Sequence, residues 1–108
     1  MTAATPALAQ QYPVKPVRFI INFPPGGPTD IMGRLAADHL SKAWGVQVVA
    51  DNRGGAGGMI GTELVARAAP DGYTLGLTTA SSAATNPAIN PSIAYKPLSD
   101  FTPIINMV

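Results

Sequence analysis

Hydrophobic and polar positions follow one another in blocks along the chain, and the apolar blocks predict short strands. Residues 17–23 are rich in β-branched and aromatic side chains, and the sequence Pro-Pro-Gly-Gly-Pro ends this run at residues 24–28, as is typical of a buried strand. Residues 46–50 and residues 73–78 form two further runs of the same kind. The pattern therefore predicts three strands.

Two helices are predicted between these strands. In residues 29–44, apolar side chains recur at helical spacing on one half of the helix, and charged or polar side chains occupy the other half. The apolar half contains Ile31, Met32, Leu35, Ala36, Leu40 and Ala43. His39 falls on this half, so we expect its side chain to be packed or snorkelling. Gly45 ends the first helix, and a second helix is predicted over residues 59–69.

The order strand, helix, strand, helix, strand predicts an α/β fold. Short connections in this order imply right-handed crossovers and a parallel sheet with flanking helices. Ligands of such sheets bind in the loops beyond the carboxyl ends of the strands. Those loops are residues 24–30, 51–58 and 79–87. The apolar run over residues 101–108 is a candidate for one more strand.

Composition excludes several classes of protein. Of the 108 residues, 46% are hydrophobic and 12% are charged, which indicates a globular domain and not a disordered chain. The net charge is +1 and the basic residues are scattered, so nucleic acid is a poor candidate for a partner. The chain has no cysteine, which excludes disulfides and cysteine-based metal sites. No apolar run approaches the ~20 residues that cross a bilayer.

The Gly-Gly-Pro-Thr-Asp sequence before the first helix has the features of an anion site. With Gly27 as the N-cap, Pro28 takes the first helical position, where its missing N–H costs nothing. The N–H groups near Thr29, together with the helix dipole, then favour an anion without any cationic side chain. We expect Asp30 to accept hydrogen bonds from backbone N–H groups of the glycine loop. Capping rules alone explain the same residues, so a helix start without a ligand is equally open.

Two other stretches suggest chemistry but lack the partners it requires. Residues 54–61 begin like a dinucleotide-binding motif, but Ile60 stands where the last glycine belongs, and no Gly-Lys-Ser/Thr sequence follows. We interpret this stretch as a flexible loop that leads into a helix. Residues 78–86 are dense in hydroxyls, but a nucleophilic serine needs a base, and the single histidine is on the helix. These hydroxyls either hold a polar ligand or belong to a surface loop.

Several motifs occur in the order and spacing of one known family. They are Tyr12-Pro13-x-Lys15-Pro16-Val17-Arg18, Phe23-Pro24-Pro25-Gly26-Gly27-x-x-Asp30, Asp51-Asn52-Arg53-x-Gly55-Ala56-Gly57-Gly58-x-x-Gly61, Ala69-Pro70-Asp71-Gly72-Tyr73-Thr74-Leu75, Asn90-Pro91 and Asp100-Phe101-Thr102-Pro103. Together they extend over nearly the whole chain from Tyr12. In this order they resemble the Bug-type receptors of tripartite tricarboxylate transporters.

The resemblance implies a type II periplasmic-binding-protein fold, in which two α/β lobes close on a small organic anion. The anion is usually a di- or tricarboxylate or an acidic amino acid, and the receptor passes it to membrane transporter subunits without chemistry or cofactor. Residues 12–108 would form the N-terminal lobe, with the second lobe absent. Residues 1–11 would be a disordered tail left from a signal peptide, since Ala7 and Ala9 have the small-x-small arrangement of a cleavage site, and the protein would be periplasmic.

The resemblance also implies which groups hold the carboxylate, namely backbone amides and hydroxyls of the loops after the first and third strands. The residues implied are Gly27, Thr29, Asp30, Thr79, Ser81, Ser82 and Ala83. An open lobe exposes apolar surface, so a homodimer or an exchange of chains is expected. Two alternatives to the receptor are a bare folded lobe that binds nothing and a nucleotide-dependent or serine hydrolase. The missing lysine motif and missing nucleophile elbow count against the hydrolase.

Overall fold

A computed structural model describes residues 11–107. The proposed signal-peptide remnant, apart from its last residue, lies outside these described residues. The elements in chain order are β1 (Val17–Ile21), α1 (Pro28–Trp44), β2 (Val48–Asn52), α2 (Met59–Arg67), β3 (Thr74–Leu77) and α3 (Asn86–Ile89). A 3-10 turn at Ala56–Gly58 leads into α2, and a π-helical segment at Ser81–Thr85 leads into α3.

The three strands form one parallel sheet in the order β2-β1-β3, as the alternation of strands and helices predicts. At the end of the central strand, Ile21 pairs with Asn52 of β2 and with Leu77 of β3. Because the strands run in one direction, the loops that follow them meet at one edge of the sheet. The polar loops predicted to bind a ligand therefore lie side by side.

The core is built on β1, whose Val17, Ile20 and Ile21 have no exposed surface. Val17 and Ile21 belong to a cluster with Ala37 of α1, so α1 covers one face of the sheet. The neighbouring residue Ile20 points to the opposite face, since side chains alternate along a strand. Val65 of α2 lies against Gly76 of β3, which pairs with Ile20, so α2 covers this opposite face. Two helices on opposite faces of a parallel sheet give the three layers of an α/β lobe.

Helix α1 buries only part of the predicted apolar half, because Ala36 and Leu40 pack against the core and other members of that half do not. Ile31 and Leu35 are 57% and 62% exposed, and His39 is exposed as well. The buried positions are Asp30, Gly33 and Ala37. Of the two alternatives for His39, a packed side chain is contradicted by this exposure, and a snorkelling side chain is not. Small residues at positions 33 and 37 let the helix approach β1 closely, and this contact sets the rotation of the helix.

Other boundaries also differ from the pattern. Strand β2 begins and ends two residues later than predicted, because its pairing with β1 continues through Asn52. The segment after β3 is helical over residues 81–89, where a loop was expected. Residues 101–107 form no strand in the part of the chain that the structure describes.

The segment before β1 is fastened to the amino end of the sheet, opposite the polar loops. The Tyr12 hydroxyl donates to the Gly72 carbonyl, and the Tyr12 ring packs edge-on against Trp44 and Tyr73 at centroid distances of 5.6 and 5.1 Å. Burial is the main cause that raises the pKa of Tyr12. The Val14 N–H donates to the Tyr73 hydroxyl. These contacts close the end of the fold that takes no part in the site.

Candidate functional site

The first part of the site is the start of α1, beyond the carboxyl end of β1. Gly27 is the N-cap and Pro28 the first helical residue, as predicted, and the Ile31 N–H donates to the Gly27 carbonyl at 3.1 Å. Within residues 11–107, the N–H groups of Thr29 and Asp30 have no hydrogen-bond partner. The Thr29 hydroxyl also has none there, and Thr29 is half-buried. The helix therefore presents two N–H groups and a hydroxyl at its positive end.

Asp30 is buried, and its carboxylate is used inside the chain. Oδ2 accepts from the Gly26 N–H at 3.0 Å, and Oδ1 accepts from Arg34 Nε and Asn52 Nδ2, both at 2.9 Å. The Gly26 N–H is the main cause that holds the pKa of Asp30 below its ordinary value, with Asn52 and Arg34 adding to it. The expectation that Asp30 caps the glycine loop is confirmed. Its negative charge is balanced by Arg34 and does not point freely into the cleft.

Asn52 at the end of β2 is hydrogen-bonded to the loop after β1. Asn52 Nδ2 donates to the Phe23 carbonyl at 2.9 Å, and Arg34 Nη2 donates to Asn52 Oδ1 at 2.7 Å. The residue before it, Asp51, pairs with Arg18 and Arg53. Burial acts to raise the pKa of Asp51, but the hydrogen bonds from the two arginines outweigh it and lower this pKa. The loop after β1 is thus fixed by side chains of both α1 and β2.

The second part of the site follows β3, where Thr79, Ser81 and Ser82 come together. The hydroxyls of Thr79 and Ser81 lie 2.8 Å apart, and both residues are half-buried. Ser82 has no exposed surface, and its hydroxyl accepts from the Thr79 N–H at 3.1 Å. The Ala83 N–H donates to the Thr79 carbonyl at 2.9 Å. The partly exposed hydroxyls are therefore those of Thr79 and Ser81.

The residues implied by the motifs thus divide into two kinds. Gly27, Thr29, Thr79 and Ser81 are partly exposed at the carboxyl edge of the sheet. The Asp30 carboxylate, the Ser82 hydroxyl and the Ala83 N–H are engaged by other groups of the chain. These three contribute by holding the loops in place.

The glycine-rich stretch lies between the two loops and is explained by close packing. The Gly57 carbonyl accepts from Asn86 Nδ2 at 3.2 Å and from Ser81 Oγ at 3.4 Å. A Cβ at Gly61 would lie 2.7 Å from the Arg53 carbonyl oxygen and 2.8 Å from Asn22 Cα. Position 61 needs glycine because backbones meet there, and no nucleotide is required to account for it.

Sequence reasoning missed the residues that connect these loops, namely Arg34, Asn52 and Asn22. Arg34 and Asn52 act on Asp30, across intervals of 4 and 22 residues. Asn22 directly follows β1 and has no exposed surface. An amide at the end of an otherwise apolar buried run was the available signal for Asn22, since buried polar groups need partners.

Neither a metal site nor a membrane span is found within residues 11–107. These residues contain no group of three or more His, Asp or Glu side chains that could hold a metal ion. No helix among them is both long enough and apolar enough to cross a bilayer.

Comparison with known sequences gives one family. Residues 32–108 match the sequence model of the tripartite tricarboxylate transporter family receptor. Protein BugT of Bordetella pertussis is 47% identical over 102 residues, which are 94% of this chain and 31% of BugT. A UPF0065 protein of Agrobacterium vitis, from the TAR-I ttuE-ttuC' intergenic region, is 45% identical over 93 residues, or 86% of this chain and 27% of that protein. The chain thus spans about a third of the length of these relatives.

Comparison with solved structures gives periplasmic binding proteins. The chain superposes on the periplasmic binding protein BugD with a TM-score of 0.81 and 44% identity, over 86% of this chain and 31% of BugD. An R. palustris protein solved with adipate gives 0.84 and 39%, over 88% and 32% of the two chains. MatC of Rhodopseudomonas palustris, solved with bound malate, gives 0.80 and 39%, over 85% and 31%. The predicted periplasmic-binding-protein lobe is confirmed.

Proposed function

Since this chain belongs to the tripartite tricarboxylate transporter receptor family, we propose that it forms the N-terminal lobe of a periplasmic receptor for a small organic anion. The anion is a di- or tricarboxylate or an acidic amino acid, and the partners of the receptor are the membrane subunits of the transporter. The family and its solved relatives are solute-binding proteins, not enzymes, so the hydrolase alternatives lose their support.

The observation that carries this proposal is the start of α1. The N–H groups of Thr29 and Asp30 lack partners within residues 11–107, and the Thr29 hydroxyl lies beside them. Backbone N–H groups at a helix start bind anions because they donate hydrogen bonds and the helix dipole adds positive potential. Adipate and malate, which are named with two similar structures, are both dicarboxylates and fit such a site.

The second loop supplies further donors. The hydroxyls of Thr79 and Ser81 lie after the neighbouring strand, on the same edge of the sheet. In this proposal, Gly27, Thr29, Thr79 and Ser81 contact the anion, and Asp30, Ser82 and Ala83 fix the loops. Gly27 belongs to the first group because a missing side chain lets the anion approach the backbone.

The test is a titration of the chain with malate, adipate, glutamate and citrate, followed by calorimetry and by amide chemical shifts. We expect shifts confined to residues 27–30 and 79–83. Replacing the hydroxyl in Thr29→Val should weaken binding by about ten- to a hundredfold, because a hydrogen bond to a charged group contributes roughly 1.5–3 kcal/mol. Thr102→Val, an exposed position far along the chain, is the matched control.

No heat and no shifts with any of these anions at millimolar concentration would favour the bare-lobe alternative. Binding that perturbs other residues, with Thr29→Val unaffected, would move the site elsewhere on the lobe.

A further inference from the structure

Asn22 lies where the three loops at the carboxyl edge of the sheet meet. It is the first residue after β1 and has no exposed surface. Its Nδ2, which carries two protons, donates to Ser82 Oγ at 2.9 Å and to Thr62 Oγ1 at 3.2 Å, and the Gly58 carbonyl oxygen lies 3.5 Å away. One amide group therefore connects the end of β1 to the start of α2 and to the loop after β3.

The partners of Asn22 act as acceptors toward it. The Thr62 hydroxyl donates to the Gly58 carbonyl at 2.8 Å, and the Ser82 hydroxyl has acceptors of its own in the Thr78 hydroxyl at 2.7 Å and the Thr79 carbonyl at 3.2 Å. With their protons used in this way, both hydroxyls turn lone pairs toward Asn22. A carboxylate of the same size would place an oxygen against those lone pairs, because an ionised Asp is an acceptor only.

Close packing leaves this amide little freedom to move. A Cβ at Gly58 would lie 2.7 Å from Asn22 Nδ2, and one at Gly61 would lie 2.8 Å from Asn22 Cα. Two glycines at the start of α2 thus allow the helix to press against Asn22. The distance from β1 to the neighbouring loops is set by these contacts.

Stability alone does not account for an amide at this position. Asn22 Oδ1 is buried and has no hydrogen-bond partner within residues 11–107. A buried acceptor without a partner is destabilising, and an apolar side chain would avoid that penalty. The other end of the same side chain donates to Thr62 of α2 and to Ser82 of the loop after β3.

We propose that Asn22 is a positioning residue of the anion site, and this rests on the function proposed above. The loop that leads to Thr29 continues directly from Asn22 along the chain. The loop with Thr79 and Ser81 is held to the same residue through Ser82. Asn22 thereby sets the span between the two groups of donors, without touching the anion itself.

The test compares Asn22→Asp with Val48→Ala, a buried position at the other end of the sheet. Hydrogen exchange and malate calorimetry are measured on both variants and on wild type. In Asn22→Asp we expect the N–H groups of Thr79 and Ala83 to exchange about tenfold faster relative to the amides of β1. We also expect malate affinity to fall by about tenfold or more. Val48→Ala should raise exchange throughout and leave the affinity of the folded molecules unchanged.

Uniform acceleration of exchange in Asn22→Asp, with malate affinity kept, would overturn the proposal. If wild type binds no carboxylate but Asn22→Asp still loosens residues 78–83 selectively, the proposed function fails and the coupling of the loops through Asn22 is supported. If Asn22→Asp does not fold, Ser82→Ala replaces it, because it removes the acceptor and keeps the amide. Unchanged exchange at Ala83 together with unchanged malate affinity in Ser82→Ala would then overturn the proposal; Thr79 is left out of this comparison because its N–H donates to the Ser82 hydroxyl directly.

Discussion

Asp30 shows how a carboxylate can lie beside a proposed anion site without repelling the anion. Its two oxygens accept from the Gly26 N–H and from the side chains of Arg34 and Asn52. Arg34 balances the negative charge of Asp30. The hydrogen bonds hold the Asp30 carboxylate away from the N–H groups of the first helical turn. Asp30 thus fixes the shape of the loop and adds little net charge to it.

This role makes the stability of the fold depend on pH through Asp30. The folded-state pKa lies below the unfolded value of about 3.9, so the carboxylate stabilises the fold above that pH. This stability is lost as the pH falls through the folded-state pKa. We expect Asp30→Asn to be less stable than wild type near neutral pH, and the difference to shrink as the pH falls below about 4. Urea unfolding at a series of pH values measures it.

Asp38→Asn is the control, because Asp38 is exposed on the same helix. The pKa of Asp51 is also lowered, and Asp51 remains in both variants. The stability of Asp30→Asn should therefore depend less on pH than that of wild type, but the dependence should not vanish. A constant gap between wild type and Asp30→Asn down to about pH 3 would contradict the assignment.

Substitutions at Gly27 and at Gly33 should affect different properties: the first should reduce malate affinity, and the second should reduce the stability of the fold. No atom lies within 4 Å of a Cβ at Gly27, so Gly27→Val should cost at most about 1 kcal/mol as a poorer N-cap, and should abolish malate binding by blocking the backbone. A Cβ at Gly33 would lie 2.7 Å from Ile21 Cδ1, so Gly33→Ala should cost about 1–3 kcal/mol and leave affinity unchanged. Calorimetry and urea unfolding of both variants measure the two effects, and equal losses of affinity would contradict this division.

Among the elements, α1 shows what a hydrophobic pattern can and cannot predict. Its limits and its capping were readable, because Gly27, Pro28 and Gly45 act within a few residues of the helix ends. Its rotation was readable only in part: Ala36 and Leu40 pack against the core as predicted, but the most buried positions are the small residues Gly33 and Ala37, and Leu35 is exposed. Which residues of α1 are buried depends on the space between α1 and β1, and the spacing of apolar residues within the helix does not reveal that space.

The segment after β3 shows the same limit more strongly. Ser, Thr and Asn are poor helix formers, and their side chains compete for backbone groups, so the sequence favoured a loop over residues 79–87. In the structure, Ser82 is held by Asn22 at a separation of 60 residues, and its carbonyl accepts from the buried Tyr95 hydroxyl. Motifs indicated which loops belong to the candidate site, but contacts of such long range decide which of its residues remain partly exposed.

Helix α2 depends on a glycine at its contact with β1. In an isolated helix, Gly61→Ala would stabilise by about 1 kcal/mol. Here the added Cβ would meet the backbone of Arg53 and Asn22 at 2.7 and 2.8 Å, so we expect a net loss of about 1–3 kcal/mol in urea unfolding. Glu63→Ala, on the same helix and paired with Arg67 near the surface, should change stability by less than about 0.5 kcal/mol. A stabilised Gly61→Ala variant would contradict the packing argument.

At the scale of the whole molecule, apolar side chains are exposed near the C-terminal end of the described chain. Leu98, Ile104 and Ile105 are 100%, 77% and 78% exposed. Surfaces of this kind promote association, so we expect a concentration-dependent dimer in sedimentation. The double variant Ile104→Ser, Ile105→Ser should weaken it, whereas Val14→Ser, at an exposed position near the other end of the sheet, should not. A monomer at all concentrations would remove this expectation.

The absence of cationic side chains from the two proposed binding loops has a kinetic consequence. Neither residues 24–30 nor residues 78–86 contain Lys or Arg, and the donors there are dipoles of N–H and O–H groups. The field of a dipole decays faster with distance than that of a charge, so an approaching anion is guided only over the last few ångströms. Stopped-flow association rates for malate should therefore change little when the Debye length is shortened from ~30 Å to ~8 Å by added salt. A steep fall in the rate would mean that distant charges, and not the loops, draw the anion in.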